Sequence, residues 1–167
     1  MFEHLQPFTK IMVTGPNRSG TTICGNMIAS DLGYPYIDEH DVGFPKPCVP
    51  DVGNFYELLK GDHFVIQSPS LVYLCNTLPD DVAVVFMMRN IDDIIKSQKR
   101  VRWGCEWWEL SNHSGHGRIS EVKYKFWNRF KHTIKHKFEV EYETLKDHEL
   151  WIPKEKRKKF AVKQTTL

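Results

Sequence analysis

Hydrophobic and polar positions alternate along this chain in blocks whose period keeps changing. "KIMVT" (Lys10 to Thr14) is a short apolar run that stops at Gly15, and Thr21 to Leu32 then places Ile23, Met27 and Ile28 at helical spacing before Gly33. This pattern predicts a strand, a glycine-bearing loop and a helix. Tyr34 to Ile37 predicts a second short strand and "HFVIQ" (His63 to Gln67) a third. "DVAVVFMMRN" (Asp81 to Asn90) is a continuous apolar run of the kind buried on both faces of a parallel sheet. Helices are expected over Asn54 to Lys60, after Ser68 or Ser70 through Asn76, and over Ile91 to Arg100. Ser120 opens a further helix whose apolar stripe reads Val122, Phe126, Phe130 and Ile134, and "FEVEY" (Phe138 to Tyr142) alternates as a last strand.

Strands alternating with helices predict an α/β fold, a three-layer P-loop NTPase-like domain with a mainly parallel sheet flanked by helices. Its ligand is expected at the carboxyl ends of the strands. A chain of 167 residues with 41% hydrophobic content is the size of one core, and no repeat or linker divides it, so residues 1–167 are read as a single compact domain. Lys and Arg number 23 against 21 Asp and Glu, which argues against a nucleic-acid polymer or a membrane surface as partner and makes any anion site local. No run approaches the roughly 20 apolar residues of a membrane span, so a cytoplasmic protein is expected. Cys24, Cys48, Cys75 and Cys105 stand far apart without a CxxC, which predicts reduced thiols rather than a zinc site or disulfides. Nothing in the sequence sets an oligomeric state.

Candidate chemistry begins at "GPNRSGTT", Gly15 to Thr22. Two glycines separated by four residues, between a strand and a helix, give a loop whose N–H groups and helix dipole form an anion site. Where an ATP-binding loop carries lysine, this one carries Thr21, and the apolar strands end in Gln67-Ser68 and Arg89-Asn90 rather than in a metal-binding aspartate. No metal is expected. Arg18, inside the loop, supplies a planar fork of donors suited to phosphate or sulfate oxygens. A second motif, "RNIDDIIKS", follows the apolar run. Seven residues on a helix turn through about 700°, so Ser97 returns close to the face of Asn90, and Arg89 and Ser97 can converge on one phosphate.

Together the two motifs resemble the P-loop sulfotransferases that use 3′-phosphoadenosine-5′-phosphosulfate (PAPS). "PNRSGTT" matches that family's loop with an extra residue between Pro16 and Arg18. Arg89 and Ser97 match its strand-end arginine and following serine, and "FEVEYETL" looks like its later strand end. The resemblance spans roughly Ile11 to Val101. It implies transfer of a sulfuryl group from PAPS, by in-line displacement, to a hydroxyl or amine on a small-molecule, glycan or peptide acceptor. Asn17, Arg18, Ser19, Gly20, Thr21 and Thr22 would hold the phosphosulfate, Arg89 and Ser97 the 3′-phosphate, and Arg18 the charge on the leaving group. The family's catalytic glutamate lands on Glu39, with Asp38, His40 and Asp41 as alternates and His63 a further candidate base. Gln67-Ser68-Pro69 departs from the Lys-Thr-His of the cytosolic members. Two rival expectations stand beside this one: a P-loop small-molecule kinase, which Thr21 argues against, and a non-catalytic nucleotide-binding module, favoured by the short chain and Gln67.

Other features read more plainly. His132 and His136 have the i, i+4 spacing of a metal pair, but Lys131, Lys135 and Lys137 make that stretch a solvated basic face. Trp103, Trp107 and Trp108 read as packing or as a stacking surface for a ring, and His113 and His116 as loop residues. "KEKRKK" (154–159) reads as a solvated tail or a basic segment that reaches the 3′-phosphate.

Overall fold

The apolar runs assemble side by side into a parallel sheet. The computed structural model describes residues 1–39, 41–42, 52–100 and 115–153, with the backbone alone for 115–117. Within these, β1 (Lys10–Thr14), β2 (Tyr36–Asp38), β3 (Phe64–Gln67), β4 (Val82–Met88) and β5 (Lys137–Glu141) lie in the order β2-β3-β1-β4-β5. Every pairing is parallel, with Met12 of β1 opposite Ile66 of β3 and Val84 of β4. The helices are α1 (Thr21–Leu32), α2 (Val52–Leu58), α3 (Ile91–Arg100) and α4 (Gly115–Phe130).

Both faces of the sheet are covered, which is why the central strands are almost purely apolar. On one face Met12, Ile66, Val84 and Phe86 pack with Phe55 of α2, Leu71 and Trp127 of α4. On the other, Ile11, Val13, Val65, Val85 and Met87 pack with Cys24, Met27 and Ile28 of α1 and with Leu145. The expected three-layer α/β arrangement is present. β5, at an edge, shows the alternation of a half-covered strand: Phe138 and Val140 are half-buried while Lys137, Glu139 and Glu141 are exposed.

Several elements differ from expectation. The segment after Ser68 is a 3-10 helix, Pro69–Leu74, capped by Ser68 Oγ, which accepts from the Leu71 N–H at 3.3 Å. α4 begins at Gly115 rather than Ser120, and its inward residues are Ser120, Lys123 and Trp127, whereas Val122 is 44% exposed. The side chains that meet the sheet decide this rotation: Trp127 stacks on Phe86 with ring centroids 4.4 Å apart, and the Tyr124 hydroxyl reaches the backbone of Arg89. α4 ends at Phe130, so His132 and His136 share no helix; His132 lies in a 3-10 turn and the His136 ring packs on Phe8.

Cys24 and Cys75 are free and buried, and burial pushes both thiols up, Cys75 to about 12. Cys48, Cys105, His40, Trp103, Trp107, Trp108, His113 and the 154–159 segment lie outside the described residues, as does the side chain of His116. Among the described residues no helix is long and apolar enough to cross a membrane.

Candidate active site

At the carboxyl end of β1 the chain is pinned before it turns. Thr14 Oγ1 donates to Ser68 O at 2.8 Å, and the Ser68 N–H donates to Val13 O at 3.0 Å. Gly15 turns with φ 142°, pressed so closely on β4 that a Cβ there would meet Met87 O at 3.0 Å. The Ser19 N–H closes the loop on Pro16 O at 3.0 Å, and Gly20, left-handed at φ 105°, feeds α1 beneath the ring of Tyr142. The N-cap of α1 is Gly20, which has no side chain to cap the helix, and this leaves first-turn N–H groups as donors at the loop. β1 leads on to β2 on one side and β4 to β5 on the other, so the chain changes direction across the sheet between β1 and β4, the place where open sheets of this kind take their ligands.

Cationic groups gather on this loop. Arg18, itself left-handed at φ 72°, places its Nε–H 3.4 Å from Ser97 Oγ, and Arg89 Nη1 donates to Arg18 O at 2.8 Å. Arg89 also lies over the Tyr142 ring, 3.9 Å from its centroid. The structure thus brings Arg18, Arg89 and Ser97 together. Withdrawal from water, then the neighbouring guanidiniums of Arg100 and Arg89, lowers the Arg18 pKa, the mark of a positive cluster. Arg89 Nε and Ser19 Oγ are buried without a hydrogen-bond partner among the described residues. From the other side Lys123 of α4, 4% exposed, donates to Asn17 Oδ1 at 2.5 Å and to Pro69 O at 2.7 Å, while Gln98 of α3 donates to Asn17 O at 3.3 Å. Arg100, Tyr142 and Lys123 belong to the site without having been singled out in the sequence. Arg100 follows Ser97 by one helical turn, a signal that was there to use; Lys123 had none, because it occupies a place on α4 that is normally apolar.

Next to the cations stand acids. Thr21 is buried, and its Oγ1 accepts from Gln67 Nε2 at 3.0 Å. The Tyr36 hydroxyl is shared between Gln67 Oε1 and Asp38 Oδ2, each at 3.2 Å, and it also meets Thr22. The apolar strands end as expected without an aspartate, but the short edge strand β2, three half-buried residues that make no visible hydrophobic run, ends in Asp38 at the site. Ser68 Oγ donates to Glu39 Oε2 at 2.8 Å, which fixes Glu39 beside Pro69. Asp41 Oδ2 accepts from the Asp38 N–H at 2.9 Å. His63 precedes β3, at the opposite end of the sheet, with its ring edge-on to Tyr34, and is no base for this site.

The sequence matches no protein-family model and no curated protein. Solved structures do share the fold. A shikimate kinase from Acinetobacter baumannii in complex with shikimate is similar with a TM-score of 0.59 at 13% identity, over 84% of this chain and 88% of that one. The YorR protein from Bacillus subtilis, in complex with phosphorylated GDP, gives 0.53 at 13%, over 80% and 86%. A shikimate kinase from Bacteroides thetaiotaomicron gives 0.52 at 14%, over 78% and 86%. At such identity the likeness shows the fold. It is the fold of P-loop small-molecule kinases, and it overturns the sulfotransferase expectation in family and activity, with PAPS as co-substrate. The physical reason lies in the motifs. Loop N–H groups and guanidiniums donate to phosphate and sulfate oxygens alike, and an arginine at a strand end with a serine two turns down the next helix is what this arrangement places there for any such anion.

Proposed function

We propose that the chain binds a nucleoside triphosphate over the Gly15–Thr22 loop and transfers its terminal phosphoryl group to a small-molecule acceptor. One observation carries this reading: the loop that opens α1 carries Arg18, takes Arg89 on the Arg18 carbonyl and Lys123 on the Asn17 side chain, and stands beside Asp38 and Glu39, held through Tyr36 and Ser68 at the carboxyl end of the sheet. A polyanion fits the first part and an acceptor hydroxyl the second. A shikimate kinase with shikimate bound and the YorR protein with phosphorylated GDP bound share this fold and support it.

Arg18, Arg89, Arg100 and Ser97 serve the phosphate oxygens. Thr22 and Asp38, hard oxygen donors that share the Tyr36 hydroxyl, would hold the nucleotide's Mg²⁺, which would supply charge neutralisation at the phosphate oxygens. In the transfer the acceptor oxygen bonds to the terminal phosphorus as the bond to the bridging oxygen breaks. The nucleoside diphosphate leaves with the electron pair, and the acceptor proton passes to Glu39, which Ser68 holds in place.

Titration calorimetry with ATP and GTP in the presence of Mg²⁺, beside 3′,5′-adenosine bisphosphate, tests the binding. ³¹P NMR of triphosphate mixed with a panel of small polyols and hydroxy acids tests the transfer. A triphosphate preference is expected, with Glu39→Gln lowering transfer by about a hundredfold or more. Preference for the 3′,5′-bisphosphate overturns the reading. A second reading, binding without transfer, is favoured by Thr21, whose hydroxyl is turned inward to Gln67 where a loop lysine would stand. ATP binding without transfer to any acceptor, and with no change in ATP consumption in Glu39→Gln, selects it.

A further inference from the structure

The inward face of α4 reads Ser120, Lys123, Trp127, and a lysine in the middle of a packed face asks for a reason, since lysine is among the residues least often buried. Its neighbours fix where it points. Trp127 is stacked on Phe86, and the Tyr124 hydroxyl accepts from the Arg89 N–H at 2.9 Å and donates to Arg89 O at 2.7 Å. So anchored, α4 directs the Lys123 chain toward the gap between the loop and the end of β3, where Nζ donates to Asn17 Oδ1 and Pro69 O. Asn17 belongs to the loop. Pro69 follows Ser68, which holds Glu39.

The ammonium therefore stands between the segment that cradles phosphates and the carboxylate on the acceptor side. Position 21, the usual place of a loop lysine, holds a threonine already engaged by Gln67. We propose that Lys123, delivered from α4, contacts the terminal phosphate of the bound nucleotide and fills the charge role that Thr21 leaves open. The assignment rests on the nucleotide reading above. A compact ammonium suits the task, because a phosphate oxygen is a charged acceptor and a stronger one than the neutral amide oxygen of Asn17.

The test uses the full chain, with ATP, ADP and AMP titrated in Mg²⁺ into the wild type, Lys123→Met and Lys123→Gln. The expected result is an ATP affinity lower by about tenfold to a hundredfold in both variants, with AMP affinity held within about threefold. Lys123→Gln keeps an N–H donor for Asn17 or Pro69 without the charge, so it answers the question if Lys123→Met does not fold. Equal losses for all three nucleotides would make Lys123 a strut for the loop and overturn the assignment, as would unchanged ATP affinity in the variants. Failure of the wild type to bind ATP defeats the nucleotide reading and this assignment together, whereas binding by the wild type with no loss in the variants defeats the assignment alone.

Discussion

Arg18 combines two costs in one residue. Its backbone is left-handed at φ 72°, a conformation that costs a residue with a Cβ about 1–2 kcal/mol, and its guanidinium sits near those of Arg100 and Arg89. Among the described residues neither cost has a structural return at the side chain, whose hydrogen bond is the long approach to Ser97 Oγ; the bond from Arg89 goes to the Arg18 carbonyl, which any residue would offer. Stability and function therefore separate at this position. Arg18→Gly is expected to raise ligand-free stability by about 0.5–1 kcal/mol in urea titrations, the backbone relief outweighing the entropy of glycine, while triphosphate affinity falls by about tenfold or more. A loss of stability alongside the loss of affinity would show the guanidinium to be part of the structure. The sequence was readable here in part. Convergence of Arg18, Arg89 and Ser97 follows from a strand end and two turns of α3, but the kind of anion does not, because the same donors serve sulfate and phosphate.

Among the elements, α4 does the most to shape the site, since it carries Lys123 to the loop and Tyr124 to the end of β4. Burial raises the Tyr124 pKa, so the phenol stays neutral and can donate to Arg89 O while accepting from the Arg89 N–H. Tyr124→Phe leaves both backbone groups unpaired where β4 runs out. A loss of about 1–3 kcal/mol is expected in urea unfolding, and nucleotide affinity should fall as well, because the same strand end positions Arg89. A change in neither would place the control of Arg89 in the Tyr142 stack instead. The face that α4 buries was misread in the sequence for a physical reason. Val122, Phe126 and Phe130 make a regular apolar stripe, yet the Trp127 stack on Phe86 and the Tyr124 hydrogen bonds turn the helix so that Val122 faces solvent. β1 and β4 carried no such ambiguity, because strands covered on both faces must be apolar throughout. β2 is short and lies at the edge, so Asp38 passed unnoticed as the end of a strand.

At the scale of the molecule, one carboxylate ties three distant parts of the chain together at the back of the α1 layer. Asp31, near the end of α1, accepts from the Phe2 N–H at 2.8 Å and pairs with His148 Nε2 at 2.9 Å, and the N-terminal ammonium lies 3.0 Å away. Burial alone would raise its pKa, but the hydrogen bonds from Phe2, the N-terminal ammonium and His148 outweigh it and hold the carboxyl below its ordinary value. A depressed pKa in the folded protein means that the unfolded chain binds the proton more readily. The stabilisation from Asp31 is thus complete above the ordinary carboxylate range and is lost as pH falls through it toward the lower folded value. Asp31→Asn should therefore be less stable than the wild type at pH 7. That difference should begin to shrink below about pH 5 and go on shrinking as pH falls through the ordinary carboxylate range toward the lower folded value, as measured by urea unfolding at stepped pH. Because Asp31 lies on α1 at the end away from the loop, the variant should keep its nucleotide affinity at pH 7, so that the stability of the fold and the chemistry of the crevice can be measured apart. A difference that instead grew toward acid pH would mean that the carboxylate is held above its ordinary pKa and that burial, not the hydrogen bonds, governs it.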